Sequence, residues 1–382
     1  MLFRSADIKF DNLTVEHTTT PGEVTAPEKL VFGKQYADHM LEVIWTAEAG
    51  WGAPKIVPFH DLVMSPATSC LHYGLEGFEG MKAYKRDDGM PLLFRPIENM
   101  KRLNTTSQRM CMPAFDSEEM LKCIAALVKL DHRWIPQKRG YSLYLRPTVI
   151  SLHPTLGVSV PAKVMIFVIM SPVGPYFKEG FKAIPLLAQT EYVRAFPGGS
   201  GDVKCGGNYG PTILPMKIAA SQGCSQVLWL FGEDCKCTEV GTMNFFIVIK
   251  PRPGSEVTTK YEVVTAPLDG TILPGITRRS VMEMIKTEPE FAECTVTERD
   301  FTMFEIIDAV KEGRMVEAFG TGTACIVTPV DRIKFKGEFI PIPTSMPDTP
   351  DAGRGLITDT VYNKLMDIQY GVVESEWMYK CQ

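Results

Sequence analysis

Between Gly201 and Pro211 the chain reads GDVKCGGNYGP: one lysine, Lys204, set in a frame of glycines, with Tyr209 five residues further on. Glycine is used where the backbone must turn sharply or come close to something else. Lysine is a flexible, strongly hydrated charge that prefers open water. Two readings stand: a solvated loop charge, or an amine held in place for chemistry. The rest of the sequence has to separate them.

The 382 residues exceed the size at which a single core stops growing, so two domains are expected. Hydrophobic residues make up 45% and charged residues 22%, as in an ordinary soluble protein. Forty Lys+Arg against 45 Asp+Glu give a net charge of -5, and no basic cluster marks a nucleic-acid or membrane footprint. The longest apolar run, VMIFVIM from Val164 to Met170, is too short to span a bilayer and reads as a buried strand. The opening MLFRSADIKFDN has neither the apolar core of a secretory signal nor the arginines of a transit peptide. A cytoplasmic chain is expected, or alternatively a processed mitochondrial one. The ten cysteines lack the spacing of a disulfide framework. Cys235 and Cys237 have no second pair or nearby histidine, and the six histidines never approach ligand spacing, so no metal is expected.

LEVIW, KIVPF, SLYLRPTVIS and KVMIFVIM read as strands, ENMKRLNTTSQRM as a helix, and SEEMLKCIAALVKLDHRW as a longer helix started by Asp116 or Ser117. SPVGPYFKEG, with its prolines and glycines, is the best linker. Beyond it the pattern restarts: a helix in PTILPMKIAASQG ending at Gly223, a strand in SQVLWLFG, and strand–turn–strand about Gly241. YEVVTAP leads into LDGTILPGITRRSVMEMIK, where a glycine turn opens a helix. FTMFEIIDAVKEG carries a capping box, Thr302 with Glu305, and stops at Gly313. FGTGTACIVTPV is a glycine turn feeding a strand, and GLITDTVYNKLMDIQYG is a last helix closed by Gly371. The expected architecture is two α/β or α+β domains, 1–172 and 185–382, joined by a loop at 173–184.

Two turns have the character of anion sites. In LPGIT the amides of Ile276 and Thr277 open a helix, where phosphate binds well. GTGTA, Gly320 to Ala324, offers backbone N–H groups and the hydroxyls of Thr321 and Thr323. Either is also what a plain turn looks like. No GxxxxGK[ST] occurs, and no GxGxxG joins a strand to a helix, which disfavours P-loop and nicotinamide enzymes. A lysine with two small phosphate cradles fits pyridoxal phosphate, whose aldehyde condenses with a lysine amine. That cofactor needs a carboxylate at its pyridine nitrogen, a phenol at its ring hydroxyl and an arginine at its phosphate. Glu239 in TEVGTMN, Tyr209 and Arg102 are candidates.

With these residues in view, KCGGNYGP, TEVGTMNFF, LPGITR and FGTGTA resemble the fold-type IV family of pyridoxal-phosphate enzymes. LHYGLEGFEGMKAY, LFRPIENMKR, SLYLRP, TLGVSVP, GCSQVLWL and DIQYG narrow the resemblance to branched-chain-amino-acid aminotransferases of the eukaryotic type, from about residue 30 to residue 370. The resemblance implies a smaller N-terminal α/β domain and a larger C-terminal pseudo-barrel domain. It implies Lys204 as the Schiff-base and proton-shuttling lysine, Glu239 at the pyridine nitrogen and Tyr209 at the ring hydroxyl. Arg102, Gly275, Ile276, Thr277, Gly322 and Thr323 would cradle the phosphate, and Leu273 would pack on the ring. Thr242, Thr323 and Ala324 would lie by the substrate α-carboxylate. Phe32, Tyr73 and Tyr144 match the side-chain pocket, and Arg146 suits the second carboxylate of glutamate. Leu156, Val158 and Tyr73 match residues that reach a partner subunit's site, implying a homodimer. The same scaffold also hosts D-amino-acid transaminases and aminodeoxychorismate lyases, but SLYLRP and LGVSVP favour the branched-chain pocket. Some mammalian relatives carry CxxC after the glycine turn. Here Cys325 is followed by Thr328, so that disulfide is impossible and Cys325 is expected to be a buried, inert thiol.

Overall fold

The computed structural model describes residues 7–175, 182–344 and 353–382. Its first strands are β1 (Thr14–Val15), β2 (His39–Thr46), β3 (Gly50–Trp51), β4 (Lys55–Pro58), β5 (Glu76–Phe78), β6 (Met81–Lys85), β7 (Pro91–Phe94), β8 (Ser142–Ser151) and β9 (Lys163–Val173). Among them lie α1 (Ser69–Tyr73), α2 (Pro96–Arg109) and α3 (Ser117–Leu130). Then come β10 (Ile184–Gln189), α4 (Ile213–Ser221), β11 (Gln226–Phe231), β12 (Lys236–Val240), β13 (Met243–Ile249) and β14 (Tyr261–Thr265). The chain continues with α5 (Ile276–Thr287), β15 (Cys294–Glu298), α6 (Met303–Lys311), β16 (Met315–Gly322) and β17 (Ile326–Phe335). It ends with β18 (Glu338–Pro341), α7 (Leu356–Gln369) and β19 (Met378–Lys380).

These elements fall into two compact units. The first comprises 1–176, 203–207 and 366–382, and the second 177–202 and 208–365. The division departs from the expected boundaries at two places. The last residues of α7 and all that follows return to the first unit, because β19 pairs antiparallel with β7. The segment Val203–Gly207 also groups with the first unit. The expected joint at 173–184 falls after β9; its residues 176–181 lie outside the described residues, as does most of the PYFKEG portion of the linker stretch.

In the first unit one sheet runs in the order β1-β4-β2-β9-β8-β6-β7-β19, with β3 on β2 and β5 on β8. Val164–Met170 lies within β9, between β2 and β8, so its β-branched run is covered as its composition demands. Helix α3 presents Met120, Leu121, Ile124, Leu127 and Val128 to the core shared with Leu41, Leu143 and Ile166. Each such side chain contributes about 1.5–3 kcal/mol of burial. Asp116 starts the helix by accepting from the Glu118 and Glu119 amides, 2.9 and 3.1 Å.

In the second unit the sheet order is β12-β11-β10-β17-β16-β13-β14-β15, with β18 on β17. Because β12 also pairs with β13, the strands β10, β11, β12, β13, β16 and β17 close into a six-stranded barrel. Every residue of β13, MNFFIVI, is buried, as suits a strand covered on both faces. Phe246 stacks on Phe319 at 5.1 Å. Two parallel crossovers leave this sheet: β10 to β11 through the lysine stretch and α4, and β14 to β15 through LPGIT and α5.

Two local expectations are corrected. Gly320–Gly322 are not a turn before a strand but the end of β16, paired to β13 and β17, so the turn is confined to Thr323–Cys325. Of the capping box only the forward half forms. The Glu305 amide donates to Thr302 Oγ1 at 3.2 Å, while the Glu305 carboxylate is taken by Arg299 at 2.7 and 3.0 Å.

Candidate functional site

Lys204 is counted with the first unit, where strand pairing explains its glycine frame. Its amide donates to Thr106 Oγ1 at 3.0 Å and its carbonyl accepts from the Phe78 amide at 3.1 Å. Cys205 bridges to Gly77 on β5. A Cβ on Gly206 would stand 2.0 Å from Glu76 Oε1, so a side chain there would have to displace the Glu76 carboxylate. The half-buried Lys204 ammonium sits 4.6 Å from the Phe78 ring centroid, and the Arg146 guanidinium lies at the same distance from that ring. Arg146 Nη2 donates to the Tyr144 hydroxyl at 3.1 Å, while its buried Nε has no partner. Phe32 meets Tyr144 edge-on at 5.0 Å. Phe32, Tyr144 and Arg146 are therefore brought together, with Phe78 as a fourth member that composition and spacing did not single out. Its only signal was an aromatic between glycines and acids in LEGFEG.

Tyr73 meets Leu156: its hydroxyl donates to the Leu156 carbonyl, yet Leu156 and Val158 remain 68% and 79% exposed. Arg102 has a carboxylate neighbour within the first unit. Its Nε and Nη2 edge is held by Glu79, at 2.7 and 2.9 Å, and Asn99 donates to the same carboxylate at 2.7 Å.

The second unit holds a different constellation. Glu239, on β12, is 2% exposed. Its Oε1 accepts from the Leu273 amide at 2.7 Å and from Asn244 Nδ2 at 3.2 Å, and its Oε2 meets Arg194 Nε at 2.7 Å. Asn244 also donates to the Leu273 carbonyl at 2.8 Å, which ties β13 to the LPGIT loop. Leu273 is buried at the foot of that loop. Gly275 is the N-cap of α5 and supplies no side-chain cap; a Cβ there would fall 1.9 Å from Asn244 Oδ1. The first amides of α5, with Ile276 and the buried Thr277, thus form an N-terminus suited to an anion. Gly322, Thr323 and Ala324 are half-buried at the β16–β17 turn, and Thr242 is exposed at the β12–β13 turn. Tyr209 is half-buried just before α4. Ser200 Oγ donates to Asn208 Oδ1 and Asn208 Nδ2 donates to the Ser200 carbonyl, both at 2.7 Å, closing the glycine stretch at its ends.

Cysteine chemistry is not what these residues offer. Complete burial pushes the thiol of Cys237, two residues before Glu239, far up. Cys325 is half-buried rather than buried, with Sγ 3.1 Å from Met243 Sδ. Among the described residues no group of three or more His, Cys, Asp or Glu side chains converges as for a metal ion, and no helix is long and apolar enough to cross a membrane.

The second unit thus holds a buried carboxylate with three donors on it and a helix N-terminus whose cap carries no side chain, and the first holds a half-buried lysine. The chain is also similar to known proteins. The family model described as amino-transferase class IV matches residues 76–333. A branched-chain-amino-acid aminotransferase of Monosiga brevicollis is 47% identical over 374 residues, covering 98% of this chain and 93% of the relative. The cytosolic enzyme of that name from Saccharomyces cerevisiae is 47% identical over 361 residues, 94% of this chain and 93% of the relative. Relatives named as mitochondrial forms match as well. Among solved structures, the T.th. branched-chain amino acid aminotransferase with pyridoxamine 5'-phosphate aligns with a TM-score of 0.67 and 25% identity. The alignment covers 89% of this chain and 98% of that one.

Proposed function

The chain belongs to the amino-transferase class IV family, and from that premise we infer that it is a branched-chain-amino-acid transaminase. It moves the amino group of L-leucine, L-isoleucine or L-valine to 2-oxoglutarate, giving branched 2-oxo acids and L-glutamate, with pyridoxal phosphate as cofactor. The observation that carries this reading is identity of 47% to a branched-chain enzyme over 98% of the chain.

When bound, pyridoxal phosphate supplies an aldehyde that amines condense with and a ring that takes up the electron pair released at the substrate α-carbon. The residues assigned to it fit: Gly275 leaves the α5 terminus without a side chain, and Glu239 is a buried carboxylate already oriented by its donors. In this reading Lys204 would hold the cofactor through its amine and would carry the proton to and from the substrate α-carbon. Phe78 beneath its ammonium keeps that amine aimed and partly dry. Glu239 would keep a proton on the pyridine nitrogen, and the phenol of Tyr209 would meet the ring hydroxyl. The amides of Ile276 and Thr277, with Gly275, Gly322, Thr323 and Arg102, would hold the phosphate, and Leu273 would pack on the ring. Thr242 and the Thr323–Ala324 turn receive the α-carboxylate. Phe32, Tyr73 and Tyr144 wall the apolar side-chain pocket. Arg146, whose buried Nε lacks a partner, takes the second carboxylate of glutamate, so one pocket serves both half-reactions.

The working unit in this reading is a homodimer, in which the exposed Leu156 and Val158 cover the partner's site. The compartment is proposed as cytoplasmic, with the mitochondrial matrix as the alternative. All ten cysteines are free thiols, as a reducing compartment requires. The test is steady-state transfer from L-leucine, L-isoleucine and L-valine to 2-oxoglutarate, with Lys204→Ala as control. Turnover of all three by the wild type and its loss in the variant are expected. Turnover only of D-alanine, or pyruvate release from aminodeoxychorismate, would overturn the assignment.

A further inference from the structure

Arg194 lies in the segment between β10 and the lysine stretch, and its side chain is only 5% exposed. Its guanidinium is held within the second unit, by partners from three separate segments. Nε donates to Glu239 Oε2 at 2.7 Å. Nη1 donates to the Thr271 carbonyl at 3.1 Å, two residues before Leu273. Nη1 and Nη2 both reach the Gly201 carbonyl, at 3.3 and 3.4 Å, at the start of the stretch that leads to Lys204. A planar fork satisfies this arrangement, whereas a lysine ammonium cannot span it.

We infer that Arg194 is a positioning residue of the transamination reaction: it keeps Glu239 ionised, so that the single proton shared between that carboxylate and the cofactor's pyridine nitrogen resides on the nitrogen. The inference rests on the function proposed above and extends it to a residue that motif reading passed over. A carboxylate at 2% exposure takes up a proton unless a charge or several donors oppose it. The neutral donors here, the Leu273 amide and Asn244, both address Oε1. The cation addresses Oε2, and a guanidinium in contact stabilises the carboxylate more than any neutral donor does. With Arg194 in place, moving the proton from ring nitrogen to carboxylate would leave a buried arginine without its counter-charge. Without Arg194 the O–H form of Glu239 against an unprotonated ring has no buried charge, and the proton moves from N–H to O–H. The ring would then draw electrons from the substrate α-carbon less strongly. From the same guanidinium, the bonds to Gly201 and Thr271 hold together the segments that lead to Lys204 and to Leu273.

The experiment uses holoenzyme reconstituted with pyridoxal phosphate carrying an isotope-labelled ring nitrogen, and reads that nitrogen by NMR at neutral pH beside steady-state kinetics. In wild type the nitrogen is expected to be protonated. In Arg194→Met it should shift to the unprotonated position, with kcat lowered about 10²-fold and KM for L-leucine within about twofold. Arg194→Lys, which keeps the charge and loses the fork, should keep the protonated signal and recover most of kcat. A protonated nitrogen in Arg194→Met with kcat within about threefold of wild type would overturn the inference. If Arg194→Met does not fold, Arg194→Lys decides, and an unprotonated nitrogen there is equally fatal. Failure of the wild type itself to bind the cofactor or to show a protonated ring would sink the functional reading. A failure confined to the variants sinks only the role of Arg194.

Discussion

Replacing Gly275 by alanine tests how the α5 terminus is built. The backbone there, at φ -69 and ψ 134, is open to any residue, so conformational strain is not the obstacle. The obstacle is Asn244: the new Cβ would lie 1.9 Å from its Oδ1, where real Cβ atoms do not come within 3.0 Å. Asn244 must therefore move by about an ångström, which stretches its bonds to Glu239 Oε1 and the Leu273 carbonyl, now 3.2 and 2.8 Å, beyond hydrogen-bond range. Each buried group left short of a partner costs about 1–3 kcal/mol. Glu239 keeps its bond from the Leu273 amide, so the total should be about 2–4 kcal/mol, a Tm fall of roughly 5–15 °C for a unit of this size. Asn244→Ala alone should cost a similar amount, because it removes the same two bonds. The double variant should be no worse than Asn244→Ala, because the clash goes with the side chain. Thermal unfolding of the four proteins, with cofactor affinity measured in parallel, reads this coupling. Strict additivity of the two single variants would refute the reasoning, as would Gly275→Ala unfolding at the wild-type temperature.

Three further outcomes are expected. Asp116→Ala removes the acceptor for two α3 amides and should lower stability by about 1 kcal/mol without changing turnover. Burial raises the pKa of Glu262, but the bonds from Arg299 and Thr297 outweigh it and the net shift is downward. The stability it adds is present above its unfolded pKa and is lost as pH falls through its folded one, so Glu262→Gln should flatten the acid limb of a stability–pH curve measured by denaturant unfolding. Among the thiols, exposed Cys111 should react first with an aromatic disulfide reagent. Cys123, pushed up to about 12 by burial, should react only after unfolding; mass spectrometry of the labelled peptides distinguishes them.

What could be read along the chain was what is local. Helix α3 and its Asp116 cap, the strand at Val164–Met170, and the strand-to-helix step at LPGIT all announce themselves within a few residues. The glycines beside Lys204 and at the α5 terminus stand out in the sequence, and at Gly206 and Gly275 a Cβ would meet a neighbouring side chain. What is set by distant pairing was not legible. The return of β19 to β7 joins residues nearly three hundred positions apart. Gly320–Gly322 looked like a turn because of their composition. They are extended because β13 and β17 pair on either side, and at Gly320 the Met243 side chain lies 3.1 Å from where a Cβ would be. Arg102 is singled out without its carboxylate partner Glu79, and Arg194 carries no motif of its own. Such residues are recognised by what they touch.

The central claim is that one site, with Lys204 as its amine, accepts a branched-chain amino acid and then 2-oxoglutarate. Its most direct test is the visible absorbance of the holoenzyme during addition of L-leucine with no oxo acid present. The account predicts loss of the aldehyde-cofactor band, appearance of the pyridoxamine phosphate band in its place, and restoration of the first by 2-oxoglutarate. A band indifferent to L-leucine, L-isoleucine and L-valine, in protein that has bound the cofactor, would contradict it.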